Sequence, residues 1–117
     1  MSAENDSLEL AWATRDAHLL VTLRGQLTDA TAMDFLARVR SSIDEQDAAF
    51  VILDLAEAGR VEGEGLRVIQ TLDHECRARD GALLCAQMSL EIEIALRQAG
   101  LAVALRLPSA WPRRQLA

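Results

Sequence analysis

The run Ala49-Phe50-Val51-Ile52-Leu53-Asp54-Leu55 constrains this chain more than any other stretch. It is nearly continuous in apolar side chains, of strand length, and carries adjacent β-branched residues at Val51 and Ile52. A strand without a polar side reads as buried on both faces, hence central in a parallel or mixed sheet. What lies before and after it must therefore supply flanking strands and the crossovers that join them.

"SLELAWAT" and "AHLLVTLRGQL" are two short apolar segments separated by "RD", the pattern of a hairpin. In the second, Leu19, Val21 and Leu23 share one face, Leu20 and Thr22 the other, and Gly25 is expected to close the strand. "TDATAMDFLARVRSSIDEQD" repeats Phe35, Leu36, Val39 and Ile43 at helical spacing. Thr28 or Asp29 is placed to cap that helix, and Asp34 suits its positive end. After the central strand, "AEAG" leads into "RVEGEGL", and a second helix follows with Leu66, Ile69, Leu72 and Cys76 on one face. Gly81 is expected to stop it. "ALLCAQM" is another buried strand, Ser89 caps the helix "LEIEIALRQAG", and Gly100-Leu101 fits a Schellman stop. In that helix Ile92, Ala95, Leu96 and Ala99 are expected to face inward. "VALRL" closes the series with Val103, Leu105 and Leu107 on one face. The order β-β-α-β-α-β-α-β with short connections predicts an α/β domain, its helices packed on a small mixed sheet through right-handed crossovers.

Charge and residue usage then remove whole classes of function. The net charge is −6, and all 12 cationic side chains are arginine. An acidic surface repels polyphosphate, and the four aromatic residues Trp12, Phe35, Phe50 and Trp111 make no stacking platform, so no nucleic-acid partner is expected. Without lysine there is no lysine nucleophile and no phosphate-loop lysine. Cys76 and Cys85 form no C-x-x-C pair and lie at no ligand spacing from His18 or His74, which reads as two small buried hydrophobes. "MSAENDSLEL" is acidic and polar, unlike a signal peptide, and no apolar run reaches the ~20 residues of a membrane span. The expected compartment is the cytoplasm, with no direct membrane insertion.

The heptapeptide "RVEGEGL" is the one unusual junction. Glu62 and Glu64, between Gly63 and Gly65, invite an acid–base or metal reading. Two carboxylates supply too few oxygens for calcium, which takes about six to eight, and no His or Cys stands near to complete a zinc site. There is no G-x-S-x-G elbow and no phosphate cradle. No metal, no cofactor and no catalytic residue is expected; the simplest role is a strand-to-helix turn whose acids favour the positive helix end.

Three segments carry a resemblance to a known family. "LRGQLTDATA", "FVILDLAEAGRVEGEGLRVI" and "GALLCAQMSLEIEIALRQAGL" resemble, in order and spacing, the pieces of the STAS domain family typified by bacterial anti-sigma factor antagonists. The resemblance implies one STAS-like domain over 1–117, with a core at about 8–107 and a short Pro-containing tail at 108–117. It places the family's Asp-Ser-Ser-Gly-Leu on Glu62, Gly63, Glu64, Gly65 and Leu66, so the phosphorylatable second serine falls on Glu64. Glu64 cannot be phosphorylated as serine is, and two readings stand side by side: a fixed negative charge where relatives switch one on, or an ordinary helix-end residue. A carboxylate mimics a phosphoryl group only in part, carrying one charge against about −1.5 to −2.

The resemblance implies a non-enzymatic partner-switching module that docks a switch kinase, anti-sigma factor or related regulator. Its partner-binding residues would be Thr28, Asp29, Glu62, Gly63, Glu64, Gly65 and Arg67. The alternative is an accessory STAS subunit of an ABC-type ATPase in lipid transport. A nucleotide or small-molecule sensor ranks last. Trp12 is expected to pack along the first strand, while Trp111 in the short tail suggests an exposed apolar edge and a homodimer or docked partner.

Overall fold

The structure, a computed structural model, describes residues 7–107. Its elements are β1 (Leu8–Arg15), β2 (His18–Leu27), α1 (Ala32–Gln46), β3 (Phe50–Val61), α2 (Glu64–Ala78), β4 (Ala82–Ala86), α3 (Leu90–Gln98) and β5 (Ala102–Ala104). They build a mixed α/β fold around a sheet of order β1-β2-β3-β4-β5. Only the β1–β2 hairpin is antiparallel; each later strand lies parallel to the one before it. The expected element order holds throughout. β3 is the middle strand, as a strand apolar on both sides requires.

Successive strands joined by right-handed crossovers in one direction put every helix on the same side. The buried core confirms it. Leu19, Val21 and Leu23 of β2 and Val51, Leu53 and Leu55 of β3 pack with Phe35, Val39 and Ile43 of α1, Ile69 and Leu72 of α2, and Ile92 and Leu96 of α3. The alternate residues Leu20, Ile52 and Ala86 form a second, smaller cluster on the opposite face, joined by Ala13 and Leu107. The helices hold because each lays an apolar stripe on the sheet, a full Phe, Leu or Ile burial being worth roughly 1.5–3 kcal/mol.

Several local expectations are corrected. β2 does not end at Gly25 but passes through it to Leu27, with irregular pairing to β3 on either side of the glycine. β3 likewise does not turn at "AEAG": it runs 12 residues, to Val61, because its second half stays paired with the end of β2. The two strands carry each other past the point where hydrophobic patterning stops. On α2, Val68 takes the buried place expected for Leu66, which is only partly buried. Ala95 of α3 and Ala99, the residue just past its end, are also only partly buried, since a nine-residue helix at the sheet edge covers a narrower stripe.

The end of α2 is a Schellman turn, but its left-handed residue is Asp80, at φ 64°, and not Gly81. Asp80 N donates to Arg77 O and Gly81 N to Cys76 O, at 3.0 and 2.8 Å. Gly81 is glycine for a different reason: a Cβ there would collide with the carbonyl of Ala49. β5 stops after three residues, so Leu105 stands exposed while Leu107 packs on the second cluster; Val103, Leu105 and Leu107 share no face. Trp12 does not pack away along β1, being 38% exposed. Trp111 and the tail lie outside the described residues.

Candidate functional site

The C-terminal ends of β2 and β3 lie side by side, and the chain leaves each through a tight turn into a helix. From β2, Thr31 Oγ1 accepts from Thr28 N at 3.1 Å and donates to Gln26 O at 2.8 Å, pinning the turn. Thr28 O then accepts from Ala32 N at 2.9 Å, which starts α1. The N-cap position of α1 is Thr31, and its side chain makes no cap bond to the helix. The sequence expectation that Thr28 or Asp29 caps α1 is therefore corrected.

Asp29 caps a different helix. Its Oδ1 accepts from Glu64 N, the first residue of α2, at 2.8 Å across a separation of 35 residues. The carboxylate thus satisfies one of the N–H groups that a helix start leaves without an internal partner, and it places negative charge at the positive end of α2. Gly63 makes this possible. Its backbone sits at φ 60°, ψ −129°, a region open essentially to glycine, and any Cβ would strike Asp29 Oδ1. Gly65 serves another need: a Cβ would strike the carbonyl of Leu27, so only glycine lets α2 start this close to β2. The same carbonyl accepts from Glu62 N at 3.0 Å. The two glycines of the "GEG" motif answer two distinct contacts.

Of the seven residues expected at the surface, the structure brings all to this one end of the sheet. Asp29, Glu62, Gly63, Glu64 and Arg67 are exposed; Thr28 and Gly65 are buried and shape the turns. Glu64 directs a side chain that is 53% exposed towards Arg67, Oε2 to Nε at 3.5 Å. Arg60, which sequence reasoning left out, belongs here: it pairs with Glu62 at 3.5 Å and donates to Gln26 Oε1 at 3.4 Å. Its signal was its place at the head of the heptapeptide. With Thr28, Asp29, Ala30, Glu62 and Gly63 it lines a shallow open depression of about 380 Å³. Exposed pairs of this kind contribute at most about 1 kcal/mol each, so these charges are available to an incoming surface.

Arg40–Glu75 and Arg79–Asp44 join α1 to α2. Asp54, 3% exposed, accepts from Ala56 N at 3.0 Å and from Gln87 Nε2 at 2.8 Å, which a sequence reading of a buried strand could not foresee. His74 is exposed on α2, and His18 stacks on Phe50 with ring centres 4.9 Å apart. Burial pushes the Cys85 thiol up to about 12, and burial aided by Asp73 pushes Cys76 up to about 11, so both are protonated at neutral pH. Among the described residues, no three His, Cys, Asp or Glu side chains gather as metal ligands would, and no helix is long and apolar enough to cross a membrane.

The STAS domain family matches residues 10–109, and the chain belongs to that family. Among solved structures it is similar to the anti-sigma factor antagonist SpoIIAA in its unphosphorylated form, at TM-score 0.70 and 14% identity over 86% of this chain and 90% of that one. The phosphorylated form of the Bacillus cell fate determinant SpoIIAA gives 0.66 and 14%, covering 85% and 92%. A serine-to-glutamate variant of RsbS from Moorella thermoacetica gives 0.68 and 16%, covering 84% and 87%. At such identities the likeness establishes a shared fold. Among curated proteins, none matches the sequence.

Proposed function

We propose that this chain is a non-enzymatic docking module, an anti-sigma factor antagonist-like partner switch in which Glu64 stands where phosphorylatable relatives carry serine. One observation carries the reading. The backbone of Glu64 is held by Asp29 at 2.8 Å while its side chain remains half-exposed, so the carboxylate is presented from a fixed point. A fixed anion on a rigid turn is a recognition element, and the depression beside it is shallow and open, which suits a protein surface better than a small substrate. The kinship with anti-sigma factor antagonists supports a protein partner of the switch-kinase or anti-sigma class. The domain would span the whole chain and act in the cytoplasm.

The test is capture of partners from the native cell by the full chain, followed by affinity measurement with Glu64→Ala and Glu64→Ser. The expected result is recovery of a switch kinase or anti-sigma factor, altered affinity with Ala, and phosphoryl acceptance by the Ser variant. An alanine variant that binds every partner as the parent does reduces Glu64 to a helix-end residue. An ABC-type ATPase recovered in place of a kinase assigns the surface to transport.

A further inference from the structure

β1 is an edge strand: among the described residues its outer side pairs with no other strand. Folded proteins blunt such edges with proline, lysine, bulges or very short strands. β1 has eight residues, "LELAWATR", without proline, glycine or lysine. Its only charges are Glu9 near one end and Arg15 at the other, both exposed, and Trp12 between them is 38% exposed.

The backbone decides which residues can pair outward. Asp16 and Ala17 form a two-residue turn, so Arg15 and His18 close the hairpin as a pair exchanging both backbone hydrogen bonds. Alternation then turns the N–H and C=O groups of Thr14, Trp12, Leu10 and Leu8 toward the open edge. An antiparallel copy of β1 joined there by a two-fold axis at Trp12 sets Trp12 against Trp12 and Leu10 against Thr14. It also sets Glu9 against Arg15, twice by symmetry. Sliding the copy to the next compatible register puts Glu9 opposite Ala13 and Arg15 opposite Ser7, losing both ion pairs. Charge thus selects one register among those the backbone allows.

We infer that β1 is a homodimerisation edge, pairing antiparallel with β1 of a second copy about Trp12. The sheet then runs continuously through both copies. Because the second copy is reversed, the two docking loops at the C-terminal ends of β2 and β3 point to opposite ends of the dimer.

Sedimentation of the full chain across a dilution series tests this, with circular dichroism to verify folding. The parent is expected to dissociate on dilution. Glu9→Arg and Arg15→Glu, each of which turns both intermolecular ion pairs into repulsions, are expected to weaken the dimer about tenfold. The double variant is expected to recover parental affinity. This rescue is specific to the interface, because within one copy Glu9 lies opposite Arg24 and Arg15 opposite His18, contacts the double exchange does not restore. Under oxidation Trp12→Cys should link to itself, whereas Thr14→Cys, facing Leu10 of the second copy, should not. A monomer at every concentration overturns the proposal, as does a dimer indifferent to the reversals or one that Thr14→Cys links. These readouts do not involve the docking loop, so they succeed or fail independently of the proposed partner switch.

Discussion

At the start of α3, Ser89 Oγ accepts from Ile92 N at 3.3 Å, three residues along the same chain. At the start of α2 the corresponding place holds Gly63, which has no side chain to offer, and the acceptor is Asp29 from the turn after β2. Both helices gain a capped N-terminus. The local cap of α3 secures that helix alone. The remote cap of α2 ties two loops together, and those loops form the candidate docking surface. A cap delivered from elsewhere therefore makes the geometry of the surface depend on a residue that need not touch the partner.

The largest blow to this arrangement is Gly63→Ala. It forces a side chain into a glycine-only conformation and against the Asp29 carboxylate, and should lower stability by about 2–3 kcal/mol in urea unfolding. Gly100→Ala is the matched control, also at positive φ (81°) but with open space around the added methyl; a loss of about 1–2 kcal/mol is expected. If the two cost the same, the contact with Asp29 contributes nothing and the remote cap is incidental.

Asp29→Ala should cost about 1–2 kcal/mol and weaken partner binding as well. The buried, protonated Cys76 of α2 supplies a local readout: its labelling at neutral pH should accelerate in this variant, while Cys85 of β4 stays slow. Equal acceleration at both thiols would mean that the cap holds the whole domain and not α2.

Ser89→Ala should cost about 0.5–1 kcal/mol, with partner binding unchanged. A loss of binding there would extend the docking surface to α3 and dissolve the contrast between the two caps. Glu64→Ala should be the mildest, within about 0.5 kcal/mol, since only an exposed ion pair with Arg67 and a dipole interaction are lost. Its expected effect is on partner affinity. A thermal shift larger than that of Ser89→Ala would mark Glu64 as a structural residue.

What one stretch of chain decides about itself was readable in advance. Periodicity gave every element of this fold in order, β3 as the middle strand, and the Ser89 cap and Gly100 stop of α3, because each depends on neighbours within a few residues. The family pattern also drew attention to the "RVEGEGL" loop, which the structure places against the turn after β2. What tertiary structure alone decided was where each group found its partner: β3 running on to Val61 beside β2, Asp80 taking the left-handed place ahead of Gly81, and Asp29 leaving α1 for α2. Backbone hydrogen bonds and carboxylates must be satisfied wherever a donor stands nearest, and nearness across 35 residues is created by the packed sheet, not by sequence spacing.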